Sequence, residues 1–331
     1  METTKPDYGR CCHTLRIGLK IPHFSSHCTW EGVIGLAPEI ERLGFDSVWV
    51  RDHLSYEPGA YDPPGRAFVD PFVTLGAVAG ATKTIKLGFC VIVPFRHPLV
   101  TAQLVGSLAW VSRGRVELGM GIGGPAKQFE VTGIPYRRRA SLCQDTIEVL
   151  RLAASGKDFS YTGGHTSFES AHVDPGPPPT APIWYGGYSL SALERAAACC
   201  DGIMPGKCKF TDFDPAVETL RRITRDRPRT MLIGTEPFIV LGKSRKAAID
   251  SVSDQIARML TSRTSDDGAY SDLNGAIIAG TPDECSEQLH DYATRGVDCV
   301  VLDPRLQAAD FPRIVATIGE DILPRFLPDG D

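Results

Sequence analysis

Apolar positions along the chain alternate between a period of two and a period near 3.6, and the alternation predicts strands and helices in turn. Leu15 to Ile21 alternates and stops at Pro22, a first strand. Ile34, Ala37, Ile40 and Leu43 fall on one face of a helix from Val33 to Leu43, which Gly44 ends. Asp46 to His53 is a strand of β-formers running into charged residues, and Pro71 to Ala81 is an alanine-rich helix after a Pro/Gly-rich loop. Ile85 to Val93 is almost continuously apolar, as expected of a strand covered on both faces in a parallel sheet. Pro98 opens a helix to Val111, at the position where a missing N–H costs nothing. Val116 to Met120 is the fourth strand and runs into glycines at 119, 121, 123 and 124.

A helix from Ser141 to Leu152 precedes an irregular Gly/Pro-rich excursion, Ser155 to Pro182. Ile183 to Gly187 is the fifth strand, and Ser189 caps a helix to Cys199. Asp201 to Pro205 and Met231 to Leu241 are strands six and seven, with a helix Phe213 to Arg225 between them. A helix from Ser244 to Ser262 leads to a polar loop, Arg263 to Asn274. Thr281 opens a helix to Thr294 with a capping residue, a proline and early acids. Cys299 to Leu302 is strand eight, and Phe311 to Phe326 is the closing helix.

Eight strands in strict alternation with helices imply an α/β fold with a parallel sheet, and eight units point to a (β/α)8 TIM barrel. The excursion after Gly156 and the loop after Thr261 read as insertions at its C-terminal mouth. Residues 1–14 read as a flexible arm and 15–331 as one domain. Chemistry belongs on the C-terminal strand ends, where Asp52, His53, Arg96, His97, Gly121 to Gly124 and Gly186 to Tyr188 fall.

Composition narrows the chemistry by exclusion. The 331 residues are 42% hydrophobic and 23% charged, with a net charge of −5. The acidic balance argues against nucleic acid as a partner. No run approaches a membrane span, and the polar N-terminus lacks a secretory h-region. Ten cysteines, two adjacent pairs among them (Cys11-Cys12 and Cys199-Cys200), include no Cys-x-x-Cys, which suits free thiols in a reducing cytoplasm. Eight histidines show no ligand spacing, so no metal is expected. Gly119, Gly121 and Gly124 formally make Gly-x-Gly-x-x-Gly, but Pro125 follows directly and the glycines end a strand instead of opening a helix. A dinucleotide turn is therefore rejected.

An ordered set of pieces carries a resemblance. Gly44-Phe-Asp-Ser-Val-Trp-Val-Arg-Asp-His53, Ala81-Thr82-x-x-Ile85-x-Leu87-Gly88, Arg96-His-Pro98, Ser112-x-Gly-Arg115 and Gly119-x-Gly-x-Gly123 follow one another. Glu130-x-x-Gly133 through Arg139, Gly186-Gly187, Asp201-Gly202 and Gly280-Thr-Pro282 through Gly296-Val-Asp298 complete it. From about Leu15 to Leu302 the chain resembles the luciferase-like flavin/deazaflavin oxidoreductases, (β/α)8 barrels that bind FMN or coenzyme F420 across the mouth. The Asp52-His53 ending is more similar to the F420 branch. The resemblance implies an oxidoreductase moving a hydride between F420 and a small organic substrate. The alternatives are an FMN-dependent monooxygenase and a non-catalytic cofactor-binding protein. Dimers are common in that family, so a homodimer is the assembly it suggests.

The resemblance also assigns residues. Cys90-Val91 stands where F420 members carry a non-prolyl cis peptide under the cofactor ring. Asp52, Gly121, Gly123, Gly124, Gly186, Gly187 and Tyr188 join these two as cofactor contacts. Bare glycine backbone either lets a flat ring approach or serves the strand end's own packing. The amides of Gly186-Gly187, before a capped helix, either meet phosphate oxygens or make an ordinary turn. His53, with an ordinary pKa near 6.5, either transfers a proton or only holds a hydrogen bond. Glu57 is the second catalytic candidate. It replaces the tryptophan of the family's sugar-phosphate dehydrogenases, and Pro125 replaces their acid, which argues against that activity. Arg96 and His97 either meet an acidic substrate or the cofactor tail, or the arginine makes only a solvated salt bridge at the barrel rim. Arg113, Arg115 and Arg139 read as structural.

Overall fold

Residues 15–59, 62–263 and 273–327 are described by the computed structural model. The expected 1–14 arm, Cys11-Cys12 and most of the polar loop before Asn274 lie outside them. In chain order the described strands are β1 (Arg16–Lys20), β2 (Ser47–Val50), β3 (Lys86–Ile92), β4 (Val116–Met120), β5 (Phe159–Thr162) and β6 (Ser167–Ala171). They continue with β7 (Ile183–Tyr185), β8 (Gly202–Ile203), β9 (Leu232–Thr235), β10 (Phe238–Leu241), β11 (Ile277–Gly280) and β12 (Cys299–Leu302). Eight of them close a parallel barrel in the order β1-β12-β9-β8-β7-β4-β3-β2. The expected (β/α)8 barrel is thus the fold.

Two tryptophans fill the inside of the barrel, and glycines on neighbouring strands make room for them. A Cβ at Gly88 would sit 2.2 Å from the Trp49 ring, and one at Gly18 would sit 2.6 Å from Trp49 Nε1. Trp184 is accommodated in the same way, next to Gly202 and Gly234. Both indole N–H groups are satisfied, Trp49 by Ser47 Oγ at 2.8 Å and Trp184 by Glu117 Oε2 at 2.9 Å. Glu117 in turn accepts from Arg16 at 2.6 Å, so this buried carboxylate is paired as burial requires.

Four helices follow the predicted starts, while those expected from Ser141 and Phe213 begin earlier, at Arg139 and Phe210. α2 (Pro71–Ala81) is capped by Asp70, which accepts from the amides of Phe72 and Val73. α3 (Pro98–Ser112) ends where Arg113 turns left-handed at φ 57°. α6 (Leu190–Cys199) is capped by Ser189, and α10 (Pro282–Thr294) by a reciprocal Thr281–Glu284 capping box.

Several elements differ from the pattern reading. The run Met231–Leu241 is two strands: β9 stays in the barrel, then Glu236-Pro237 redirects the chain so that β10 pairs with β11 in a separate parallel sheet. β11 lay in a run that the pattern left unassigned. The helix expected over 244–262 breaks at Val252 into α8 (Arg245–Ser251) and α9 (Ser253–Arg263). The excursion after Ser155 contains a hairpin, β5-β6, held against α5 (Arg139–Ala153). Asp145 on α5 accepts from the hairpin amides of Gly164, His165 and Thr166. A short helix, α4 (Ala126–Val131), follows the glycine-rich strand end, where Pro125 stands just before its first turn.

Candidate active site

The C-terminal ends of the barrel strands gather two unlike halves. On the β3–β4–β7 side the wall is backbone and apolar side chain. The Cys90–Val91 peptide bond is cis, as the resemblance implies, and the β3–β4 register shifts between Phe89 and Ile92. The half-buried Val91 side chain lies over three glycines. A Cβ would come within 2.4 Å of Val91 at Gly121, 3.0 Å at Gly186 and 3.5 Å at Gly119. At Gly123, φ is +74° and a Cβ would meet Val93 at 2.6 Å. The bare backbone at 121 and 123 is therefore demanded by the chain's own packing. Among the candidate-site glycines 121, 123, 124, 186 and 187, only Gly124 has nothing within 4 Å of its missing side chain.

The turn after β7 is also partly committed. Gly186 N–H donates to Met120 O at 2.8 Å, so that amide ties β7 to β4 and is not offered to a phosphate. Gly187 has φ +126°, a conformation that favours glycine, and Tyr188 beside it packs half-buried on the main core.

The polar candidates separate into different tasks. Asp52, at the end of β2, is buried and takes both guanidinium nitrogens of Arg96, at 2.7 and 3.0 Å. It also accepts from the Val93 amide at 3.1 Å, and Arg96 reaches Asp70 at 3.2 Å. Asp52 and Arg96, candidates for cofactor and substrate contact, pair with each other and tie β2, β3 and the start of α2 together. His97 is exposed and caps α3, its Nδ1 accepting from Leu99 N–H at 3.2 Å. Glu57 is exposed and paired with Lys127 at 2.9 Å. That partner holds its carboxyl below the usual range, which disfavours it as an acid.

His53 remains at the mouth. Burial, reinforced by the nearby Arg51 charge, pulls its imidazole down to about 3. The imidazole is therefore held neutral at physiological pH. Gln128 Nε2 lies 2.7 Å from His53 Nδ1, while Gln128 Oε1 is buried with no partner. Gln128, from α4, was missed because nothing in its local sequence marks it.

The β1–β12–β9 side carries a second feature that the sequence did not reveal, a buried ion cluster. Lys20 and Lys207 both contact Glu236, and Lys207 lies 2.7 Å from Asp303. Cys90 donates from Sγ to Glu236 Oε2 at 2.8 Å. Arg305 pairs with Asp303 and, at 3.0 Å, with Asp62, which Arg51 approaches at 3.5 Å. Burial pulls the Lys20 ammonium down to about 8, against the attraction of Asp303. Each of these charges closes a strand or follows one, so the topology assembles them from positions far apart in sequence.

Comparison with known proteins agrees with this architecture. Residues 17–299 match the luciferase-like monooxygenase family. A 5,10-methylenetetrahydromethanopterin reductase of Methanolobus tindarius is 26% identical over 86% of this chain and 93% of its own. An F420-dependent glucose-6-phosphate dehydrogenase of Amycolatopsis mediterranei is 25% identical over 88% of this chain and 93% of its own. Among solved structures, an F420-dependent secondary alcohol dehydrogenase superposes with a TM-score of 0.78 at 18% identity, covering 96% of this chain and all of that one. The FMN complex of a type II Baeyer-Villiger monooxygenase from Pseudomonas putida gives 0.75 at 17%, with the same coverage. No described helix is long and apolar enough to cross a membrane.

Proposed function

We propose that this chain, which belongs to the luciferase-like monooxygenase family, works as an oxidoreductase that moves a hydride between coenzyme F420 and a small organic substrate. The observation that carries this reading is the Val91 platform: an apolar side chain, half-exposed at the mouth and seated on Gly119, Gly121 and Gly186. A flat tricyclic ring is the ligand such a surface suits. The A. mediterranei relative, aligned along most of the chain, favours a deazaflavin over a flavin.

The residues present fit such a group. Val91 offers the apolar seat, and Gly124 leaves open space beside it. The partnerless Gln128 Oε1 is an acceptor waiting for a ring N–H, since a buried carbonyl left unpaired is costly. Gly187, Tyr188 and the capped start of α6 would hold the anionic tail, where the helix terminus favours negative charge. The deazaflavin would supply the hydride from a ring carbon, chemistry that no side chain here can perform. His53 acts as a neutral hydrogen-bond donor: with Nδ1 accepting from Gln128, the proton stays on Nε2. In that role it would orient a substrate oxygen without changing its own charge.

FMN is the second reading, favoured by the fold shared with the FMN-bound monooxygenase. Titration of the purified chain with each cofactor, followed by fluorescence, separates the two. F420 binding without FMN binding is expected. Tight FMN binding with none for F420 would overturn the proposal, and binding of neither would favour a non-catalytic role.

A further inference from the structure

We propose that Arg51 and Arg305 form a subsite for an anionic group on the substrate, a carboxylate or a phosphate ester, and that Asp62 holds that place when substrate is absent. The inference rests on the reading of the barrel mouth as the cofactor and substrate site. Two guanidinium groups, on β2's end and just after β12, converge on the same oxygen, Asp62 Oδ1, at 3.5 and 3.0 Å. Arg51 is nine-tenths buried, its guanidinium carbon is 3.8 Å from the Phe24 ring centre, and its Nε is buried without a partner. Two like charges brought this close repel unless an anion sits between them. Asp62, in the Pro/Gly-rich loop after β2, supplies that anion. Its other oxygen accepts from the Gly59 amide at 3.0 Å.

The site is reachable from the Arg305 and Asp62 side. Arg305 and Asp62 line a cavity of about 250 Å³ together with His27, Gln255 and Gln307. That volume suits a small carboxylate or a single phosphate, not a drug-sized ligand. Its position also selects the substrate over the cofactor tail. β1 and β7 are four strands apart in either direction round the barrel, and the cavity lies on the β1–β12 side, opposite the Gly187 turn.

Calorimetric titration of the cofactor-free protein with inorganic phosphate and with succinate tests this without requiring turnover. Asp62→Asn is expected to bind one of the two at least about tenfold more tightly than the wild type. Asp62→Asn/Arg305→Gln is expected to lose that gain. Preference for phosphate or for succinate assigns the group. Equal, weak binding by wild type and Asp62→Asn overturns the proposal, with Asp62→Ala as the second variant should the first fail to fold. Loss of F420 affinity by tenfold or more in Arg305→Gln also overturns it, because the pair would then serve the cofactor tail. If F420 does not bind at all while phosphate still distinguishes the variants, the cofactor reading fails and this one stands.

Discussion

Arg96 spans the two carboxylate oxygens of Asp52 at 2.7 and 3.0 Å, and this fork joins the ends of β2 and β3 directly beneath the mouth. Planar bidentate pairing of this kind is a property of arginine that lysine does not reproduce. Arg96→Leu strands a buried carboxylate and is expected to cost about 3–5 kcal/mol, read from urea unfolding. Arg96→Lys is expected to recover only part of that loss. A substrate-binding arginine would behave differently, raising KM while leaving the unfolding midpoint in place.

His53, with its pKa pulled to about 3 in the fold and near 6.5 when unfolded, makes stability depend on acid. Between those values the unfolded chain binds the extra proton, so stability is full above about pH 6.5 and falls as the pH drops toward 3. His53→Gln removes this group's share. Its loss of stability from pH 7.5 to pH 5 is expected to be smaller than the wild type's by up to about 2 kcal/mol. Chemical unfolding at the two pH values measures it, and equal losses would return His53 to an ordinary titration. Buried His23 is shifted in the same direction and supplies a remaining slope in both proteins.

Gly121 and Val91 occupy one space. Gly121→Ala puts a methyl 2.4 Å from Val91 Cγ2, and overpacking of this kind costs about 1–3 kcal/mol. Val91→Ala opens the same space from the other side. The double variant is expected to be more stable than Gly121→Ala alone, with a coupling of at least about 0.5 kcal/mol in a double-mutant cycle. Additive effects would mean that the two residues do not share the contact.

The barrel was legible because its strands and helices switch periodicity cleanly and because Ser189 and Thr281 mark helix starts in the local sequence. The break at Glu236-Pro237 was hidden by an apolar run continuous on both sides of it, which periodicity cannot divide. The cluster of Lys20, Lys207, Glu236 and Asp303 was hidden for another reason. Each is a lone charge at a strand end, and only closure of the barrel brings them together. That Asp52 is the partner of Arg96 was not legible, since a sequence does not show that two charged residues 44 positions apart face each other. Arg115 was read correctly as structural: it donates to Ala79 O, Thr82 O and Ile85 O at the lower end of the barrel.

The exposed Glu57–Lys127 pair bears on a different question, whether Glu57 takes part in turnover. A solvated ion pair contributes little, and the Lys127 charge keeps the carboxyl ionised. Glu57→Gln is expected to leave kcat within about twofold of the wild type once a substrate is in hand. A loss of two orders of magnitude in kcat, with KM unchanged, would restore Glu57 as a proton donor.

Glu236 is the hub of the buried cluster, contacted by Lys20, Lys207 and the Cys90 thiol. Glu236→Gln preserves shape but removes the charge that offsets two buried ammonium groups, leaving Asp303 as their remaining carboxylate contact. Breaking one member of such a set is expected to cost about 3–5 kcal/mol. Removing a cation at the same time relieves most of that imbalance, since an apolar replacement of a buried pair is often neutral. Glu236→Gln/Lys20→Met is therefore expected to unfold at higher denaturant than Glu236→Gln alone. If the double variant is instead the weaker, by the sum of the single losses, the two groups act independently and charge balance is not what holds this side of the mouth together.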